Sequence, residues 1–116
     1  MKFLAMAALL FLSAPYSISV TPRNVNCGQV QIGQRSNNPD FFIIKNTGVI
    51  AVAVTSVSDN PEFQVQQGSC GLLPGQSCFV DITFAPSGTG LRSGVVTVTK
   101  IEDGQSVGVN VSGVGE

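Results

Sequence analysis

From residue 40 onward the chain alternates apolar and polar positions with a period of two, in short runs separated by clusters of Gly, Pro, Asn and Ser. The run 78–84 is the clearest case. It puts Cys78, Val80, Ile82 and Phe84 on one face of an extended segment and Phe79, Asp81 and Thr83 on the other. The same reading predicts strands over 19–21 with 26–32, then 40–45, 51–58, 62–67, 78–84, 94–99 and 105–112. Turns fall over 33–39, 46–49, 59–61, 68–77, 85–92 and 100–104. No stretch after the first 19 residues sustains a helical period for more than a turn. Short strands at this spacing need a second sheet to cover their apolar faces. The predicted class is therefore all-β: an immunoglobulin-like β-sandwich of seven or eight short, mainly antiparallel strands. Its inward rows are expected to be Phe42 and Ile44, Val52 and Val54, Phe63 and Val65, Val80, Ile82 and Phe84, Val96 and Val98, and Val107, Val109 and Val111.

The first 19 residues break this pattern. Lys2, an apolar run from Phe3 to Leu12 and small residues from Ser13 have the layout of a secretory leader. The run is shorter than the roughly 20 apolar residues that span a bilayer, and Pro15 and Ser17 follow it closely. Cleavage is expected after Ser19, giving a leader over 1–19 and one domain over 20–116 with no membrane span. About 97 residues then remain, enough for one core and too few for two. Loss of Lys2 leaves five basic side chains against seven acidic ones. Arg23, Arg35, Lys45, Arg92 and Lys100 are scattered singly, which does not suit a nucleic-acid backbone. The expected location is extracytoplasmic, secreted or periplasmic.

Export makes the three cysteines informative. Cys70 and Cys78 flank Leu73-Pro74-Gly75-Gln76, where Pro74 suits the first central position of a type II turn and Gly75 the second, at φ > 0. The turn predicts a bridged hairpin with Cys70 beside Cys78. Cys27 is left over among Val25, Gly28 and Val30 and is expected to be a buried free thiol, a small apolar residue of a strand. No basic cluster adjoins it in the sequence to lower its pKa.

Material for catalysis is sparse. The chain has no histidine, which removes the usual general base, triad and zinc-ligand sets. Asp40, Asp59, Glu62, Asp81, Glu102 and Asp103 are the carboxylates from which an acid pair would have to be drawn, and most fall at predicted turns facing solvent. Glu102 and Asp103 beside Gly104 fall short of the six to eight oxygens that calcium takes. The reading is a non-enzyme with no catalytic residue, no metal ligand and no cofactor.

Seven pieces occur in order: CGQVQIG (27–33), IKNTG (44–48), PEFQV (61–65), CGLLPGQSC (70–78), VDITFAPSGTG (80–90), SGVVTV (93–98) and VNVSGVG (109–115). Together they resemble the choice-of-anchor D repeat, which is similar to the abnormal-spindle and Hydin-type (ASH-like) immunoglobulin-like modules and, more distantly, to major-sperm-protein domains. The resemblance implies a seven-stranded sandwich, a Cys70–Cys78 bridge, no catalytic residues and a structural or protein-binding role. Where the family usually has a large apolar residue before the glycine matching Gly28, this chain has Cys27. The other motif residues read as structural: Gly28, Gly33, Asn46, Gly48, Phe63, Pro74, Gly75, Phe84, Pro86, Gly90, Gly94 and Gly113. Asn46 is expected to close its turn with its own side chain. The implied function is an exported envelope or surface module that meets a protein partner, by β-augmentation or through end loops. The strand over 107–111 is the expected free edge. The alternative is a small secreted inhibitor presenting the 70–78 loop to an enzyme, with Leu72 and Leu73 as its anchors.

Overall fold

The structure is a computed structural model, and it describes residues 16–36 and 40–116. Most of the leader (1–15) and turn positions 37–39 lie outside the described residues. Nine strands follow in order: β1 (Ile18–Thr21), β2 (Asn24–Val30), β3 (Asp40–Asn46), β4 (Val52–Ser58), β5 (Phe63–Gln66), β6 (Ser69–Leu72), β7 (Ser77–Phe84), β8 (Gly90–Lys100) and β9 (Ser106–Gly115). They form a four-stranded sheet in the order β1-β3-β7-β5 and a five-stranded sheet in the order β2-β9-β8-β4-β6. All pairs are antiparallel except β2 with β9.

Alternation does what it predicts in the central strands. Phe42 pairs with Val80 and Ile44 with Cys78, Phe63 with Phe84, and Val96 with Val109, each apolar side chain turned to the other sheet. Phe63 and Phe84 stack with centroids 4.7 Å apart and planes 11° off parallel. Val65 and Val107 pack against the core but are half-buried. Val20, Val25, Val30, Leu72 and Cys27 join the core as well.

Three expectations are corrected. The strand count is nine, because Ser69–Leu72 is a strand within a stretch read as a turn. The bridged unit is not a hairpin: β7 already has β3 and β5 as neighbours, so β6 pairs with β4 in the opposite sheet. The segment 107–111 is not the free edge expected: β8 lies along one side of all of it, and on the other β2 runs parallel from Asn110 on, with Asn24 beside Asn110 and Val25 beside Val111, while Arg23 Nε donates to the Gly108 carbonyl just before. The edges are β1, β5, β2 and β6.

Each flank is closed by a chain that changes sheets. The first crosses at Thr21–Pro22, a cis peptide, between β1 and β2. The second crosses at Gln67 and Gly68, between β5 and β6. Gln67 takes φ 57°, and a side chain on Gly68 would stand 2.7 Å from the Ser56 carbonyl oxygen. A boundary after Ser19 falls inside β1 and would remove half of it.

Candidate functional site at one end of the sandwich

Three loops meet where β3, β6 and β8 end and β4, β7 and β9 begin: 47–51, 73–76 and 101–105. The register sets them side by side, since Val52 pairs with Leu72 and Val54 with Lys100, so neighbouring chain ends lie about 5 Å apart. Four large aliphatic side chains are exposed on these loops: Val49, Ile50, Leu73 and Ile101.

Asn46 holds two of the loops. Its side chain is fully buried, and its Nδ2 donates to the carbonyls of Ile50 and Leu72, both at 2.9 Å. Its Oδ1 accepts from the Gly48 N–H at 2.8 Å, which closes the turn. Its backbone exchanges hydrogen bonds with the 73–76 corner, the Asn46 N–H donating to Gln76 and the Gly75 N–H to Asn46. In that corner the Gln76 N–H donates to Leu73 and Gly75 takes φ 85°, as a type II turn with Pro74 at its first central position requires. The Cys70–Cys78 disulfide then ties edge strand β6 to β7 across the two sheets. The third loop is fixed by Lys100, which is buried. Its Nζ donates to the Tyr16 carbonyl at 2.8 Å and pairs with Asp103 at 3.0 Å, while Glu102 accepts from the Ala53 N–H at 3.0 Å.

Leu72 and Leu73 part company. Leu72 is 4% exposed and packs in the core, whereas Leu73 is 58% exposed at the turn. An inhibitor loop anchored by both loses one of its anchors.

Cys27 is a buried free thiol in β2, next to the bulge at Gly28, where φ is 75° and the N–H donates to the Asn26 side chain. Burial pushes the thiol up to about 12, and the Asp40 carboxylate adds to this by its charge and by accepting the thiol hydrogen bond. Asp40 is itself raised by burial. A cavity of about 460 Å³ opens here, with Gln29, Arg35 and Glu116 on its wall. The thiol stays protonated and therefore makes a poor nucleophile.

The remaining motif residues stand at corners and in the core. Gly33 lies in the turn after β2, Pro86 follows β7, Gly90 opens β8, and Gly94 lies beside Asp59, Asn60 and Phe63. Gly113 lies under the Phe84 ring.

Sequence reasoning missed Glu62. It is buried at the opposite end, not turned to solvent, and accepts from the Ser87 N–H at 2.6 Å, the Ser87 hydroxyl at 2.8 Å and Arg92 Nε at 2.9 Å. The Ser87 N–H, then Arg92, then the Ser87 hydroxyl hold its carboxyl down at about 2. Asp59, Glu102 and Asp103 likewise accept backbone N–H groups. These carboxylates fasten loops. Among the described residues no three His, Cys, Asp or Glu side chains gather as a metal site, and no helix is long and apolar enough to cross a membrane.

Residues 17–114 match the family model described as HYDIN/CFA65/VesB-like, Ig-like domain. No curated protein matches the chain. Among solved structures, the ASH/PapD-like domain of human CEP192 (PapD-like domain 7) superposes with a TM-score of 0.71 at 14% identity, over 89% of this chain and 87% of that one. A protein of unknown function from Porphyromonas gingivalis W83 gives 0.70 at 17% identity, over 84% and 47%. The CsuC–CsuE chaperone–tip adhesion subunit complex of Acinetobacter baumannii gives 0.63 at 10%, over 86% and 57%. The chain thus spans about half the length of the last two.

Proposed function

The chain belongs to the HYDIN/CFA65/VesB-like Ig-like domains, and from that premise we propose that it is an exported, non-enzymatic module of the cell envelope or surface that binds another protein through the end carrying Val49, Ile50, Leu73 and Ile101. One observation carries this reading. Four exposed aliphatic side chains sit on three adjacent loops that a disulfide, a buried Asn46 and a buried Lys100 hold in place. Exposed apolar groups on a rigid frame lose little conformational freedom on contact, which is what a binding surface needs. Export is supported by the leader pattern of residues 1–15 and by the disulfide. We place the end of the leader ahead of Tyr16, because the Tyr16 and Ser17 carbonyls accept from Lys100 Nζ and from the Thr47 N–H. Family likeness supports a contact role, and the similar Csu structure is a pre-assembly complex of a chaperone with a tip adhesion subunit.

The test is cross-linking and capture of the protein in its native cells, with intact mass read on the recovered chain. We expect a chain shortened by its leader, recovered with one protein partner. Replacing Leu73 and Ile101 together by Ser should release the partner, while Leu91→Ser, an exposed leucine at the other end, should keep it. Recovery of the unshortened chain from the cytosol would overturn export. A partner that survives the paired substitution would overturn the assignment of the surface.

A further inference from the structure

The outer face of the β1-β3-β7-β5 sheet carries an apolar island at its centre. Phe41 and Ile43 on β3 and Phe79 on β7 point away from the core, because Phe42, Ile44 and Val80 between and beside them point into it. Ile43 stands directly opposite Phe79, and the rings of Phe41 and Phe79 lie 5.3 Å apart, tilted by 41°. Phe79 keeps 53% of its surface exposed in the middle of a four-stranded sheet. Thr21, Ser77, Thr83 and Gln66 surround the island, giving an apolar centre with a polar rim.

The charges on this face are few and placed diagonally. Lys45 lies opposite Ser77 at one end of the island, and Asp81 lies opposite Phe41 at the other. Neither has an ion-pair partner among the described residues. A pattern of one cation and one anion at opposite corners of an apolar patch is complementary to itself under a two-fold rotation.

We propose that this face is the contact between two copies of this chain, related by a two-fold axis that lies in the interface and passes between Ile43 and Phe79. Lys45 and Asp81 are separated by four residues along the strands and one strand across, about 14 Å by 5 Å. An axis perpendicular to that diagonal sets Lys45 of each copy over Asp81 of the partner subunit and lays the two apolar islands on each other. The strands of the two faces then cross at roughly 40°, near the roughly 30° at which twisted sheets stack. The Lys45–Asp81 pairs fix the register, and the rings supply the buried area.

Sedimentation of the purified protein over a concentration series tests this, with circular dichroism as the check on folding. Wild type should shift toward twice the monomer mass as concentration rises, and Phe79→Ser should abolish the shift. Lys45→Asp and Asp81→Lys should each weaken association at least tenfold, because each sets like charges against one another twice. Mixing those two variants should restore association, since both contacts in the mixed pair then join opposite charges. The double variant Lys45→Asp with Asp81→Lys should associate alone. A wild type that stays monomeric at roughly millimolar concentration, where even weak contacts populate a complex, would overturn the proposal. So would a mixture or double variant that stays monomeric while the wild type associates.

Discussion

Gly113→Ala sets two opposing effects against each other at a position where the outcome can be worked out. Gly113 lies on β9 at the end of the inward row Val107, Val109, Val111, and its φ is not positive, so its backbone suits alanine. On unfolded-chain entropy alone the substitution would stabilise by about 0.4–1 kcal/mol. The new Cβ, however, would stand 2.6 Å from Cδ2 and 2.9 Å from Cζ of Phe84, where carbon atoms pack at about 3.5–4 Å. Phe84 has little room to retreat, because its ring stacks on Phe63 and both are fully buried. Overpacking of this kind costs about 1–3 kcal/mol, and with three ring atoms closer than 3 Å to the new methyl the upper end applies, so after the entropic gain is subtracted the net loss is about 2 kcal/mol. Phe84→Leu alone should cost roughly 1–2 kcal/mol through lost volume. Combined with Gly113→Ala it makes room for the methyl, so the double variant should be more stable than the sum of the singles by about 1 kcal/mol or more. Urea unfolding at neutral pH reads these values as midpoint shifts at constant slope. A neutral Gly113→Ala, or singles that add within about 0.5 kcal/mol, would refute the reasoning.

Replacing Cys70 and Cys78 together by Ser opens a covalent loop of about nine residues and should lower stability by about 2.5 kcal/mol in the chain-entropy account; an unchanged urea midpoint would contradict a formed bridge. Glu62 connects pH to stability: its carboxyl sits at about 2 in the folded protein against an ordinary 4.5, so the stabilisation it gives is complete above 4.5 and is lost as pH falls toward 2. Thermal scans from pH 6 to pH 2 should therefore show a falling Tm whose slope flattens in Glu62→Gln, and an equal slope in the two proteins would assign the acid sensitivity to other groups.

What could be read in advance follows from the range of the signal. The alternation at Phe42-Ile44, Val52-Val54 and Val80-Ile82-Phe84 is local, and those rows are core. Turn chemistry is local too, which is why Pro74–Gly75 and the Asn46 side-chain turn were legible. β6 was hidden because Ser69-Cys70-Gly71-Leu72 carries one large apolar residue amid turn formers, and only its pairing with β4 makes it a strand. Whether β9 is an edge depends on a parallel neighbour some 86 positions away, as with Asn24 and Asn110, which no periodicity encodes. The role of Glu62 was hidden for the same reason. Its partners Ser87 and Arg92 come from 25 and 30 positions further on. Likewise nothing in the Leu72-Leu73 pair says which side chain turns inward until β6 is placed against β4.

The edges themselves argue for end loops over strand addition. Both flanks are broken where the chain changes sheets, so β1, β5 and β6 each offer four residues, and the longer β2 is kinked at the Gly28 bulge. A partner strand laid on four residues gains about four backbone hydrogen bonds at a net 0.5–1.5 kcal/mol each. Ordering four residues of that partner costs about 1–2 kcal/mol per residue, which offsets the whole gain before the cost of association is counted. The 47–51, 73–76 and 101–105 loops are already ordered by Asn46, Lys100 and the disulfide, so a preformed partner surface would meet them without that penalty. Burying Val49, Ile50, Leu73 and Ile101 is worth about 1.5–3 kcal/mol for each fully exposed side chain, and these four are roughly half exposed or more. Several kcal/mol thus remain to oppose the loss of free motion, which the short edges cannot supply.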